Sequence, residues 1–594
     1  MTDSELAEPS AHRGTAAHPD PAPGHPDRSR PDRRTRRRRV DWRAELRAAL
    51  EILALCGLAI TQPLLDVTGR SPDFFLFHGA GSGQILLLVA VVTVVPPVVL
   101  WASGLLVGAV SGRPTVRRGW HTATLGVLLA ALAVQAGKQL TPLRGAPLAA
   151  LAGVLGLAVA YAYWRWRVPG QLLRAASVGP LVFVLLFVFA SPASAVLLPR
   201  RDQGGPAGAA GGRGTHPDVV LLVLDEFPLV SLLGPDGELD VRRFPNFAQL
   251  ARESTWYRDA TGVSGWTPYA LPAMLTGRYP AREGAPHYSQ YPENLFTAFG
   301  DAGYQIRAQE SISELCPPRH CPDRSRTGRG GLPVLLRESA TLLAELVWPY
   351  DSSRDPEASY RETTRREAGL DPAAGVFRGS APTDPKFRWG ALDENQPARF
   401  TEFLAGLRPT SRPTLHFLHL LLPHSPWNYL PSGVRYEAPF EIPNDGDGWV
   451  SLAYQRHLAQ VEYTDRLLGE TIRTLRDSGL YDDALLVVTS DHGVSFTPGV
   501  QGRGRAAVDR NPGEVLWVPM FVKEPGQRAG RVDDRNWEQV DLLPTVADLA
   551  GVEVSWAVEG ISARGPARPK GDKRYHDEPD RRLAVPGPAT FAAV

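Results

Sequence analysis

From about residue 46 to 198 the apolar positions run in long unbroken blocks, at roughly 46–65, 84–110, 120–140, 146–164 and 176–198. Each block is about as long as a bilayer-spanning helix. The first is the least clean, with Arg47 and Glu51 in its opening turns, whereas Leu181–Ala190 in the last has no polar residue. A cleaved leader would not be followed by four more such blocks, so the pattern predicts a bundle of about five transmembrane helices over 44–199. Past residue 216 the apolar runs shorten to strand length. Val219–Leu224, Thr414–Leu422 and Ala484–Ser490 are nearly continuous apolar runs, as expected of parallel strands buried on both faces, and Val518–Val522 is a further one. Between them lie helical patterns: Phe244–Ala251, read as N-capped; Tyr454–Ser478, with Val461, Leu467, Leu468, Ile472 and Leu475 near one face; and Asp541–Ala550, closed by Gly551. Leu295 onward predicts a helix–strand unit turning at Gly303. The alternation makes 216–561 an α/β domain, interrupted over about 316–400 by an irregular insertion rich in Arg, Pro, Ser and Asp.

The polar ends set the topology. Residues 1–43 are rich in Pro, Arg, His and Asp and predict a disordered basic tail. Its Arg33-Arg34-Thr35-Arg36-Arg37-Arg38-Arg39 run directly precedes the first apolar block, where it suits a cytoplasmic retention signal. Arg113, Arg117 and Arg118 follow the second block, and Arg165, Arg167 and Arg174 follow the fourth; the other two loops offer only Arg70, Lys138 and Arg144. The positive-inside rule then puts the N-terminus inside and everything past residue 200 outside. Intramembrane charge is nearly absent, which argues for an anchor rather than a transport pathway. Gly/Ala-rich 200–215 predicts a flexible linker, and 562–594 a second disordered tail.

Composition adds exclusions. The formal net charge is +1, with the basic residues gathered near the start, so no nucleic-acid partner is indicated. Three cysteines are too few for a disulfide scaffold. Cys56 sits in an apolar run; Cys316 and Cys321 could close a small loop in an oxidising compartment or stay two thiols.

The candidate chemistry collects at strand ends, where ligands gather in open α/β sheets. Asp225-Glu226 follows the first strand, Pro423-His424 the second, and Asp491-His492-Gly493 the third. Carboxylates with an imidazole suit a divalent metal, zinc or manganese before calcium. His424 could contact an anion or shuttle a proton, whereas His416 and His419, inside their strand, are expected to be satisfied core histidines. Thr267 has the side chain of an N-cap, Pro268 suits the first helical position, and Gly277 a helix end. A helix N-terminus attracts anions, and a hydroxyl there can serve as both metal ligand and nucleophile. Pro272 predicts a bent or short helix.

Taken in order, Asp225-Glu226, Pro245-Asn246, Thr267 with Leu275-Thr276-Gly277-Arg278, Pro423-His424, Ser490-Asp491-His492-Gly493, Val518-Pro519 and Val540-Asp541-Leu542-Leu543-Pro544-Thr545 resemble the sulfatase-like branch of the alkaline phosphatase superfamily over about 216–552. The resemblance implies an alkaline-phosphatase-like α/β sandwich with Asp225, Asp491 and His492 as metal ligands, Glu226 as a possible further one, Thr267 as nucleophile and ligand, and His424 at the transferred group. Sulfatases of that branch carry Cys or Ser in a Cys/Ser-x-Pro-x-Arg motif and oxidise it to formylglycine; here the matching stretch is Thr267-Pro268-Tyr269-Ala270-Leu271, and Thr cannot give that aldehyde. A Thr nucleophile behind about five spans is instead similar to phosphoethanolamine transferases and lipoteichoic acid synthases. The expectation is a metal-dependent enzyme acting on phosphate esters of a lipid headgroup or an envelope glycan or polymer. A sulfuric ester hydrolase and an inactive envelope-assembly scaffold of the same fold are the alternatives.

Overall fold

The computed structural model describes residues 41–78, 80–143, 145–198, 216–280, 285–322, 331–349, 396–436, 447–500, 502–578 and 581–585. The expected N-terminal tail through residue 40, the 200–215 linker and most of the insertion lie outside them. The described residues from Arg47 onward form one compact unit.

Among the described residues five helices are long and apolar enough to cross a membrane: Trp42–Arg70, Ser82–Ser111, Pro114–Leu140, Gly145–Arg165 and Val168–Ala190. Val110, Leu140 and Leu157 expose most of their side chains, as residues facing lipid would. Lipid gives no hydrophobic drive for helix pairing, so small residues must let backbones approach. A Cβ on Gly156 would lie 2.6 Å from the Gly126 carbonyl oxygen of the neighbouring helix. Glu51, the weak point of the first block, is buried inside the bundle. The Tyr163 hydroxyl donates to Glu51 Oε2 at 2.7 Å, His121 Nε2 lies 3.1 Å from the same oxygen, and Arg174 pairs with Oε1.

The soluble domain is built on a seven-stranded sheet. Its strands are β1 (Val219–Leu224), β2 (Thr255–Tyr257), β3 (Gln305–Gln309), β4 (Thr414–Leu420), β5 (Leu485–Ser490), β6 (Met520–Lys523) and β7 (Arg531–Asp533), in the order β3-β4-β1-β5-β6-β2-β7. The first four in that order are parallel, and β6 runs antiparallel to its neighbours. All six β1 residues are buried, with Val220, Leu222 and Leu224 in one core cluster and Val219, Leu221 and Val223 in another. Burial on both faces is what the unbroken apolar run required, each side chain contributing about 1.5–3 kcal/mol. Leu224 stands opposite both Leu420 and Ser490, so the three central strands end level and the residues that follow share one rim.

Three local expectations change, and one left open is decided. The helix Pro245–Glu253 has no cap from its own chain start; Asp465, on the helix Asp447–Asp477, accepts from Asn246 N at 3.0 Å and Phe247 N at 2.8 Å. Within the insertion, Gly331–Val347 is a helix whose Leu335 is buried with Phe75 and Leu88 of the membrane half. Its apolar face has a partner that a local reading of composition could not supply. Within the expected C-terminal tail, Lys573–Glu578 and Arg581–Val585 pair as an antiparallel hairpin. Lys573 is buried there, its ammonium 3.1 Å from the Asp259 carboxylate and donating to Asn536 Oδ1 at 2.7 Å. Cys316 and Cys321 are disulfide-bonded, and Cys56 is a buried thiol.

Candidate active site

The strand ends are tied together before any side chain acts. Asp225 N donates to Leu422 O and Asp491 N to Leu224 O, both at 3.1 Å, which extends the ladder one residue past each strand. Phe227 N donates to His492 O at 2.7 Å. Gly493 is required by space: a Cβ there would lie 2.2 Å from Glu514 O. Glu226 holds a left-handed backbone, φ 56°, an unfavourable conformation for a side-chain-bearing residue that tends to persist where function demands it.

Asp225, Asp491 and His492 are fully buried, and one donor atom of each lies within 4.8 Å of the others. His492 Nε2 is 3.6 Å from Asp225 Oδ1 and 3.5 Å from Asp491 Oδ2. Neither of those carboxylate oxygens has a hydrogen-bond partner. Buried acceptors are ordinarily paired, so two unpaired ones converging on an imidazole fit a cation between them. His492 Nδ1 faces Gly493 O at 3.1 Å, which assigns the proton to Nδ1 and leaves the Nε2 lone pair toward the carboxylates, the usual orientation of a metal-bound histidine. Burial and the Arg503 charge push the His492 pKa well down, keeping the ring neutral as a ligand must be. Burial and the neighbouring Asp225 charge push Asp491 up to about 7. Burial also raises Asp225, but His424, His419 and His492 outweigh it and hold that carboxyl well below the usual range.

Thr267 is the first residue of the helix Thr267–Thr276, not its cap; Trp266 takes the cap position and makes no side-chain capping bond. Pro268 is therefore second. The shift frees the hydroxyl from the helix end, and Oγ1 lies 3.2 Å from His492 Nε2. Gly277 closes the helix with φ 70°, and Pro272 sits inside it.

A second group lies alongside. Glu226 is not part of the cation-facing trio: its Oε2 is 2.9 Å from Arg503 Nη1 and 3.3 Å from His424 Nε2, and its Oε1 accepts from Ser425 N at 3.3 Å. Arg503 Nη1 is also 3.0 Å from His492 Nε2, and the guanidinium lies over the Trp266 ring at 4.8 Å from its centroid. Sequence reasoning missed two residues here. His419 is no satisfied core histidine: its Nε2 lies 3.4 Å from Asp225 Oδ2, and neither ring nitrogen has a hydrogen-bond partner. Its signal was a polar residue in an apolar strand, beside β1 near the rim. Arg503 lies in a loop with no periodicity to place it.

An acid pair, an imidazole and a hydroxyl around one point, with a guanidinium beside them, can bind a tetrahedral oxyanion ester and activate the hydroxyl toward it. The sulfatase family model matches residues 217–552, more than half the chain. The chain belongs to the sulfatase family. Among its described residues five helices are able to anchor it in a membrane, and the trio fits a divalent metal. Lipoteichoic acid synthase of Staphylococcus saprophyticus is 28% identical over 163 residues, covering 26% of this chain and 23% of the synthase. The match to lipoteichoic acid synthase 1 of Bacillus subtilis likewise spans 23% of that protein. Endo-4-O-sulfatase of Bacteroides thetaiotaomicron is 25% identical over 368 residues, 57% of this chain and 70% of that one. The solved C-terminal periplasmic domain of EcEptC from Escherichia coli aligns with a TM-score of 0.38 at 17% identity, over 65% of this chain and 97% of that domain.

Proposed function

We propose that this sulfatase-family protein transfers or hydrolyses phosphate esters, of a lipid headgroup or an envelope polymer, at the outer face of the membrane through Thr267. The observation that carries the reading is His492 Nε2, which the Thr267 hydroxyl, Arg503 and the two unpaired carboxylate oxygens all face. A divalent cation held by Asp225, Asp491 and His492, zinc or manganese by the donor set, would lower the hydroxyl's pKa and offset charge on the ester. Arg503, braced by Glu226 and stacked on Trp266, binds a non-bridging oxygen. Thr267 gives its proton to solvent water, its Oγ1 bonds to phosphorus, and the bond to the leaving oxygen breaks. That oxygen takes a proton from His424. The phosphothreonine ester then passes to an acceptor hydroxyl or to water, which restores Thr267. The helices hold the site near headgroups and raise their effective concentration; the positive-inside loops support the outward orientation.

A threonine cannot become formylglycine, which favours phosphorus over sulfur. The breadth of the endo-4-O-sulfatase match motivates sulfate esters as the second reading. The deciding experiment compares chromogenic phosphodiester, phospholipid and aryl sulfate turnover by the full-length protein and its Thr267→Ala variant, with mass spectrometry of the Thr267 peptide. Thr267-dependent phosphodiester turnover with a phosphorylated Thr267 is expected; Thr267-dependent aryl sulfate turnover without it would replace this reading with the second.

A further inference from the structure

A cavity of about 600 Å³ lies outside the active site, against the edge strand β3. It is lined by Arg307 of β3, His416 of β4, Arg319, and Arg408 and Arg412 from the loop after the helix Gln396–Gly406. His416 pairs in register with Arg307, five residues before the rim at Leu421, so the cavity is roughly 16 Å along the strand from the catalytic end.

Two of the arginines are fixed by helix ends. Arg307 Nη1 donates to Gly406 O at 2.6 Å, and Arg412 Nε donates to Gly303 O, beyond the helix Leu295–Asp301, at 3.0 Å. Those bonds orient the guanidiniums without neutralising them. Among the described lining residues the one acid is Glu402. Behind the arginines His416 is only 1% exposed, and its Nε2 has no hydrogen-bond partner. Burial and the Arg307 charge hold its pKa down at about 3, so the ring is neutral. Burial and Arg408 likewise lower Arg307. Arg319 is already paired with Asp301 at 3.3 Å, but Arg307, Arg408 and Arg412 on one wall, with an unpaired polar nitrogen behind them, fit an oxyanion. Guanidinium forks match phosphate oxygens, and the volume suits a small phosphorylated molecule rather than a lone ion.

We propose that this cavity binds the phosphate group of a small phosphorylated molecule or polymer unit, through Arg307, Arg408 and Arg412 with His416 as an uncharged partner. The site does not depend on Thr267 chemistry. The test is calorimetric titration of the full-length protein in detergent with chelator present, using inorganic phosphate, glycerol 1-phosphate and a glycerol phosphate oligomer. The Arg503→Gln background silences anion binding at the catalytic rim. Arg408, exposed and outside the catalytic group, is the variant least able to disturb folding. Added Arg408→Glu should weaken phosphate binding about tenfold or more, and Arg408→Glu alone should leave chromogenic phosphodiester turnover unchanged. His416→Phe should weaken glycerol 1-phosphate at an unchanged Tm. Tighter binding of the oligomer would support a polymer source, and equal binding a free small molecule. Phosphate binding that is absent in the Arg503→Gln protein, or that Arg408→Glu leaves intact, would overturn the proposal.

Discussion

Among the protein's buried carboxylates, Glu51 in the membrane half and the Asp225–Asp491 pair in the soluble half are built in opposite ways. In the membrane half, Glu51 has both oxygens taken, by Tyr163, His121 and Arg174. One side chain thereby joins four helical segments. In the soluble half, Asp225 and Asp491 face each other and each keeps an unpaired oxygen. A satisfied buried carboxylate is a structural element, and removing it strands its partners. Two unsatisfied like charges held close oppose folding unless something binds between them. Burial alone does not separate structure from function; pairing does.

Substitution should therefore change activity at one cluster and stability at the other. Thr267→Ala and Asp491→Asn should each lower turnover by about 10³-fold or more, measured as kcat on a phosphodiester, because nucleophile and ligand act as a unit. In chelator, Asp491→Asn should not lower the Tm, since it removes a like charge. Glu51→Gln should do the reverse: about 3 kcal/mol less stability by thermal unfolding in detergent, through the unpaired Arg174, with turnover per folded molecule retained. If Asp491→Asn unfolds the metal-free protein, or Glu51→Gln abolishes turnover at full stability, the contrast between the clusters is wrong. Next in size, metal at about 100 times its Kd should stabilise the wild type by about 2.7 kcal/mol. The same addition should shift the Asp491→Asn variant little; equal shifts in both would move the metal elsewhere.

The division between what the sequence revealed and what it hid follows range. Spans and buried strands were legible because they are written as local runs: Val219–Leu224 has no choice but a two-sided core. Asp225, Asp491 and His492 were legible because level parallel strands carry whatever follows them to one rim. Thr267 lies one position further into its helix than the cap expected of it, because Trp266 rather than a polar residue takes the cap. The rest depended on distant partners. Asp465 caps a helix more than two hundred positions away, Lys573 is buried only because Asp259 and Asn536 wait for it, and the Gly331–Val347 helix needs the membrane half to cover Leu335. Arg503 reaches Glu226 from a loop with no pattern, and the charge nearly absent from the spans matters because Glu51 finds three partners.

His457 tests whether an unpaired atom is by itself a sign of ligand binding. It is fully buried, Ser231 Oγ lies 3.0 Å from its Nε2, and its Nδ1 has no partner. Its neighbours are rings, Trp427, Tyr454 and Phe496, with no converging charge. Unlike Asp225 or His416, it has nothing to make a site of, so its effect should fall on stability alone. Burial holds its pKa down at about 3, against an ordinary value of about 6.5 in the unfolded chain. The folded value is the lower one, so the unfolded chain takes up the proton first. The contribution is constant above about pH 6.5 and is lost as pH falls from there toward 3, by at most about 1.4 kcal/mol per pH unit. Chemical unfolding between pH 7.5 and 5, in chelator, should show that slope in the wild type and a shallower one in His457→Gln, on a common background from the other titrating groups. A slope the variant leaves unchanged would mean the imidazole reaches solvent or a proton donor. His457 would then have to be counted with the unsatisfied groups that await a partner.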